Sequence, residues 1–324
     1  MTNRAGRIVS FLPAATEMAC ALGLETRLVG VSHECDFPAH VRGKPVVVHP
    51  AVAFATLGPG EIDGAVAARL RDGESLYAVD ETLLRALDAD LILTQDLCQV
   101  CAPSGNDVTR LLASLARRPE VMYFTPASLD DVWDNLRTLG VATGTRDVAD
   151  DIVRDARARL ATVAACVGDA PRPRVFFVEW VDPVYCAGHW IPEMIELAGG
   201  VDQLARRGAH SVRVGWDDVV AAAPEAIVVA PCGYSCADAA AQVSLLSGRP
   251  EWSNLPAVKD GRVYAVDANA YFARPGPRLV DGVELLAHLL HPGRMPWHGS
   301  PDAYRIAEAA GSGKREAGNT MKGS

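Results

Sequence analysis

Two series of short β-branched runs alternate with amphipathic helical stretches, and one long helical stretch separates them. No other feature constrains this chain as much. In the first series the pattern predicts strands near 8–11, 28–31, 46–48, 91–94 and 121–124, and helices near 14–22, 62–71, 81–87 and 107–116. In the second it predicts strands near 175–178, 227–230 and 263–266, and helices near 191–197, 216–222 and 278–290. Such alternation builds largely parallel sheets, because a parallel neighbour can be reached only through a crossover. Between the series, Ser128 and Asp131 have the spacing of a helix-capping box, and Leu129, Val132, Trp133, Leu136 and Leu139 follow at helical spacing. Gly140 and Gly144 interrupt this stripe, and Val148, Ile152, Ala156, Leu160 and Val163 resume it. The expected fold is α/β: two lobes with parallel-sheet, Rossmann-like cores, a long helical connector, and a ligand cleft between the lobes. The boundaries fall at 1–126 for the first lobe, 127–170 for the connector, 171–297 for the second lobe and 298–324 for a flexible tail.

The chain is long enough for two lobes, with 324 residues of which 49% are hydrophobic. Its 31 basic residues against 40 acidic ones give a net charge of −9, which disfavours a nucleic-acid partner held through phosphates. No apolar run approaches the roughly 20 residues of a transmembrane helix. The first residues carry no secretory leader: Pro13 stops the opening apolar run almost at once. On that ground the expected location is cytoplasmic, and the eight cysteines are expected as thiols or metal ligands. No G-x-S-x-G elbow, P-loop or G-x-G-x-x-G is present, so no catalytic residue is assigned.

In open α/β sheets, ligands lie beyond the carboxyl ends of the strands. In the first lobe those positions hold Pro13, His33, Glu34, Cys35, Asp36, Phe37, Gln95, Cys98 and Cys101. In the second they hold Glu179, Trp180, Asp182, His189, Trp190, Cys232, Tyr234, Tyr271 and Arg274. Cys98 and Cys101 form a C-x-x-C turn that suits one metal ion or a redox pair. With Cys35 and Cys232 they make a four-thiolate set suited to zinc or an iron–sulfur cluster. Small buried thiols are the alternative, and Cys20 and Cys166, on predicted helices, are read as packing. His33 and His189 offer imidazoles for a metal-bearing ligand, or are turn residues bonded to backbone. Trp180, Trp190, Tyr234 and Tyr271 offer flat apolar faces. Arg274 is a candidate partner for a ligand carboxylate or phosphate. Glu34 with Asp36, and Glu179 with Asp182, are candidate acid/base pairs.

Several segments together resemble the periplasmic binding proteins for cobalamin, haem and iron-siderophores. They are Arg7-Ile-Val-Ser-Phe-Leu-Pro-Ala-Ala-Thr-Glu17, Leu197-Ala-Gly-Gly200, the stretch from Trp252 to Val266, and Arg274-Pro-Gly-Pro-Arg278. The resemblance covers roughly residues 7 to 293. His33-Glu-Cys-Asp-Phe-Pro38, Cys98-Gln-Val-Cys101 and Gly188-His-Trp190 are similar to a branch without signal peptides, labelled cobalamin-binding. The resemblance implies lobes that close modestly on a ligand around a stiff helical spine. It implies a cobalamin or related corrinoid as ligand. The strand-end positions give its expected contacts as Pro13, His33, Glu34, Phe37 and Gln95 from one side. From the other side come Glu179, Trp180, His189, Trp190, Tyr234, Tyr271 and Arg274. An ABC permease is the implied partner. An enzyme or cluster carrier built on the cleft cysteines is the rival expectation.

Overall fold

A computed structural model describes residues 6–95, 111–112, 115 and 117–307. The apolar runs of the first series form β1 (Ile8–Ser10), β2 (Leu28–Ser32), β3 (Val46–Pro50), β5 (Leu91–Gln95) and β6 (Glu120–Phe124). A further strand, β4 (Tyr77–Val79), completes a sheet of order β4-β3-β2-β1-β5-β6. Its pairings are parallel except β3 with β4. α1 (Pro13–Ala21) follows β1 directly, and Pro13 occupies the first turn, where its missing N–H costs no hydrogen bond. α2 (Pro59–Arg71) and α3 (Glu81–Leu87) lie between β3 and β5. The helix expected over 107–116 falls almost wholly outside the described residues.

The connector is a helix pair, α4 (Leu129–Thr143) and α5 (Arg146–Val167). Ser128 Oγ accepts the Asp131 N–H at 3.2 Å while the Asp131 carboxylate accepts the Ser128 N–H at 2.9 Å, a reciprocal cap. The break falls at Gly144, whose φ of 76° is left-handed. Gly140 stays helical and lets the two helices touch: a Cβ there would lie 2.8 Å from the Ala149 Cβ. Arg159 clamps α5 to the second lobe through Asp281 at 2.5 Å and Glu284 at 2.6 Å.

The second lobe contains β7 (Arg174–Val181), β8 (Val184–Cys186), β9 (Val201–Asp202), β10 (Ala226–Val229), β11 (Val263–Val266) and β12 (Tyr304–Ile306). Its sheet runs β12-β11-β10-β7-β8, with β9 also on β7. Its helices include α6 (Ile191–Leu197), α7 (Trp216–Ala222), α8 (Cys236–Ser247), α9 (Pro256–Lys259), α10 (Ala268–Tyr271) and α11 (Leu279–Leu290). The tail expected from residue 298 is corrected over 304–306: β12 pairs antiparallel with β11, and the Tyr304 ring packs edge-on against Tyr264. Three residues are too few for an alternating pattern to stand out in sequence. One apolar core runs through lobes and connector alike, from Ile8 through Trp133 to Phe177 and Leu285. Among the described residues no helix is long and apolar enough to cross a membrane.

Candidate functional site

The strand ends of the first lobe form a partly open, acidic face. His33 Nδ1 lies 3.1 Å from the Val48 carbonyl, and its Nε2 is 4.0 Å from Glu34 Oε1. The Glu34 side chain keeps 44% of its exposure. Protein walls around it still raise its carboxyl above the usual range, against the pull of His33 and Arg274. Phe37 is 44% exposed, and the Arg278 guanidinium stands 4.1 Å from its ring centre. Pro13 and Gln95 are buried at the ends of β1 and β5. Cys35 is buried against Thr16 Oγ1 at 3.1 Å, and burial pushes its thiol to about 11. Cys98 and Cys101 lie outside the described residues.

The second lobe supplies aromatic faces. Trp180 and Tyr234 meet edge to face, with ring centres 5.7 Å apart. Glu179 Oε2 accepts the Gly188 N–H at 3.2 Å. His189 has a left-handed φ of 53°, donates its N–H to the Ala209 carbonyl at 2.6 Å, and holds Nε2 2.9 Å from His210 Nδ1. Burial, with His210 beside it, lowers the His189 imidazole below its ordinary value. Gly188 is required here, because a Cβ would lie 2.2 Å from the Ser211 nitrogen. Trp190 is only 6% exposed and gives its indole N–H to the Phe272 carbonyl, so it packs as core and offers no open face. Tyr271 is half-buried against Phe272 and Trp297, and burial raises its phenol. Cys232 is exposed, whereas Cys236 opens α8 and is buried.

Two seams bring these faces together. At the inner one, Glu17 of α1 accepts from Arg278 Nε at 2.8 Å and lies 3.4 Å from Arg274 Nη1. Arg274 also pairs with Asp36 and donates to the Glu34 carbonyl at 3.1 Å. Burial raises the Glu17 carboxyl and the two guanidinium groups oppose that rise. The charge of Arg274, expected to meet a ligand, is therefore spent on protein carboxylates. The same holds for Asp36, and Glu179 is bonded to Gly188, so neither expected acid/base pair stands free. At the outer seam α2 reaches the second lobe. Asp63 binds Arg213 at 2.6 Å and accepts the Tyr185 hydroxyl at 3.2 Å. The Trp180 indole N–H is shared between the Asp182 carbonyl at 3.0 Å and the Pro59 carbonyl at 3.2 Å. Gly60 lies so near that a Cβ would stand 2.8 Å from Asp182 Oδ2. A separate cavity of about 330 Å³, lined by Val167, Arg172, Glu193 and Arg207, lies between α5 and α6, away from the strand ends.

Comparison with known proteins identifies the family of the chain. The family model described as periplasmic binding protein matches residues 100–270, just over half of the chain. The chain belongs to the periplasmic binding protein family. An uncharacterized ABC transporter substrate-binding lipoprotein of Bacillus subtilis is 25% identical over 88% of this chain and 80% of its own length. The vitamin B12-binding protein of Vibrio cholerae is 26% identical, over 86% and 87%. Among solved structures, the apo periplasmic haem-binding protein RhuT of Roseiflexus sp. RS-1 has a TM-score of 0.68 at 20% identity, covering 90% of this chain and 99% of that one. Such a likeness carries the fold. The protein is thus a substrate-binding protein of the type that serves ABC import.

These relatives correct the expected location. They are periplasmic or lipoprotein substrate-binding proteins, which implies an extracytoplasmic place and overturns the cytoplasmic expectation drawn from a few opening residues. The inference that a reducing compartment keeps the cysteines as thiols falls with it. Neither Cys35 nor Cys232 belongs to a group of three potential ligands among the described residues. The seam residues Glu17, Asp63, Tyr185, His210, Arg213 and Arg278 were not singled out from sequence. Glu17 had a signal: it is the single charge in the nine residues of α1, and a charge on a buried helix requires a partner.

Proposed function

We propose that this protein holds a cobalamin or related corrinoid between its lobes and delivers it to an ABC permease. The observation that carries the reading is the aromatic lining of the seam. Phe37 stands exposed on one lobe, with the Trp180–Tyr234 pair on the other. Flat faces beside a few polar groups suit a large, partly apolar ring system. His33 adds a metal-directed nitrogen. The Val48 carbonyl can accept only from Nδ1–H, and this leaves the lone pair on Nε2 at a side chain 28% exposed. The vitamin B12-binding relatives support the same ligand class. Arg274 acts here as a lobe-joining residue and takes no part in holding the ligand.

Hydroxocobalamin added to the purified protein should co-elute in gel filtration at one equivalent and shift its visible spectrum. His33→Ala should remove the spectral shift while leaving retention. Trp180→Ala should weaken retention by about tenfold, the scale of one lost aromatic contact. Loss of corrinoid during gel filtration, or retention of haem in its place, overturns the proposal.

A further inference from the structure

We propose that Cys20, Glu25 and His40 form a binding site for one zinc-like transition-metal ion on the first lobe, apart from the cleft. The Cys20 sulfur, a Glu25 carboxylate oxygen and a His40 ring nitrogen all lie within 4.8 Å of one another. In a tetrahedral zinc site with bonds of about 2.0–2.3 Å, donor atoms stand roughly 3.3–3.8 Å apart. Modest side-chain rotation closes that difference. Glu25 sits in the turn before β2, His40 in a 3-10 helix (Ala39–Gly43) after it, and Cys20 in the last turn of α1, so three separate segments converge on the point.

A second observation is independent of the distances. Among the described residues, none of these three side chains has another hydrogen-bond or ion-pair partner. The other imidazoles, His298 apart, each bond to protein: His33, His49, His288 and His291 to backbone carbonyls, and His189 to His210. Three donor groups of different chemistry therefore meet with nothing else to do. Cys20 is 7% exposed, Glu25 half-buried and His40 exposed, an arrangement that opens the point to solvent on one side only.

Ligand chemistry selects the ion. One thiolate, one imidazole and one carboxylate suit zinc or cobalt(II); magnesium and calcium want all-oxygen shells, and an iron–sulfur cluster wants more thiolates. Three protein donors leave the fourth position to water, so the ion is exchangeable. The carboxyl end of α1 points here, bears no basic residue in its last turn, and favours a cation. Lys44 is the opposing charge nearby, but its ammonium is tied at 2.7 Å to the carbonyls of Glu25 and Leu28. On binding, the metal replaces the thiol proton of Cys20, which leaves to solvent.

The site lies at the amino ends of the strands, opposite the cleft, since Glu25 precedes β2 whereas His33 follows it. It does not depend on the corrinoid reading. The test uses the full chain carrying Cys98→Ser, Cys101→Ser, Cys166→Ser and Cys232→Ser, which leaves only the buried Cys35, Cys186 and Cys236 as thiols outside the site, and titrates it with Co²⁺. One equivalent should develop a thiolate-to-cobalt charge-transfer band, and Zn²⁺ should discharge it. Cys20→Ala should abolish the band, and Glu25→Gln and His40→Ala should each raise the midpoint at least tenfold. The last two substitutions touch accessible side chains and keep the test decisive even if Cys20→Ala does not fold. No band at saturating Co²⁺, or an unchanged midpoint in His40→Ala, overturns the proposal.

Discussion

The inner seam at Glu17 and the outer seam at Asp63 both join the lobes through a carboxylate and an arginine, yet they are set in opposite surroundings. Glu17 keeps 3% of its side-chain exposure and its partners Arg274 and Arg278 keep 11% and 18%. Arg213 keeps 57%, and it meets a helix, α2, with no buried residue of its own. A buried charge that loses its partner stays desolvated and uncompensated, whereas an exposed one is taken up by water. The same chemistry therefore makes a fixed fulcrum on one side of the cleft and a releasable contact on the other. A ligand should enter and leave past α2.

The largest effect is expected at the fulcrum. Glu17→Ala takes from buried Arg278 its carboxylate and leaves Arg274 with Asp36 alone, and should cost about 3–5 kcal/mol in denaturant unfolding. A cost below about 1 kcal/mol would make the two seams equivalent and break the distinction. Arg213→Ala should lower stability by no more than about 1 kcal/mol. It should nevertheless speed amide exchange across Pro59–Arg71 and shorten ligand residence. Unchanged exchange there would mean that α2 is held by something other than Asp63.

Acid offers a finer cut. His189 titrates below its unfolded value, so its contribution to the fold is complete above an ordinary imidazole pKa near 6.5 and is lost as pH falls through the folded value. Exchange over 206–213, the loop that carries His210 and Arg213, should rise between pH 7 and pH 5, while α1 stays protected. Equal protection of the loop at both pH values would sever His189 from the outer seam. Salt should act least: screening loosens exposed pairs, so 1 M NaCl should raise exchange in α2 slightly and leave α1 unchanged.

The legible parts of this fold were those with period. Each strand of both series expected from sequence is present, as are both connector helices, because buried apolar runs bounded by polar or turn residues and a capped apolar stripe announce themselves. The strands β4, β8, β9 and β12 have two or three residues each and owe their form to a neighbour's edge. The site was half legible for a related reason. The rule of strand ends looks for ligand contacts where topology puts them, and in the structure His33, Phe37 and Tyr234 follow the carboxyl ends of β2 and β10 while Trp180 is the next-to-last residue of β7. It could not say which residues would be consumed by partners far along the chain. Arg274 meets Glu17 from 257 residues away, and Trp190 turns its indole toward Phe272, 82 residues on. Cys20 shows the converse: on a helix it read as filler, and only folding brings Glu25 and His40 beside it.

The clamp of Arg159 on Asp281 and Glu284 fixes α5 to the second lobe, while α4 shares the core of the first. With 22 residues, α5 spans about 33 Å. Held to the first lobe through α4 and clamped directly to the second, a rod of that length acts as a gauge block: it sets one spacing between the outer surfaces of the lobes whatever lies between them. A permease gripping both lobes at once would then meet nearly the same footprint in loaded and empty protein. Telling cargo from no cargo would fall to the state of α2 and the loop opposite it, a local mark on an otherwise constant outline.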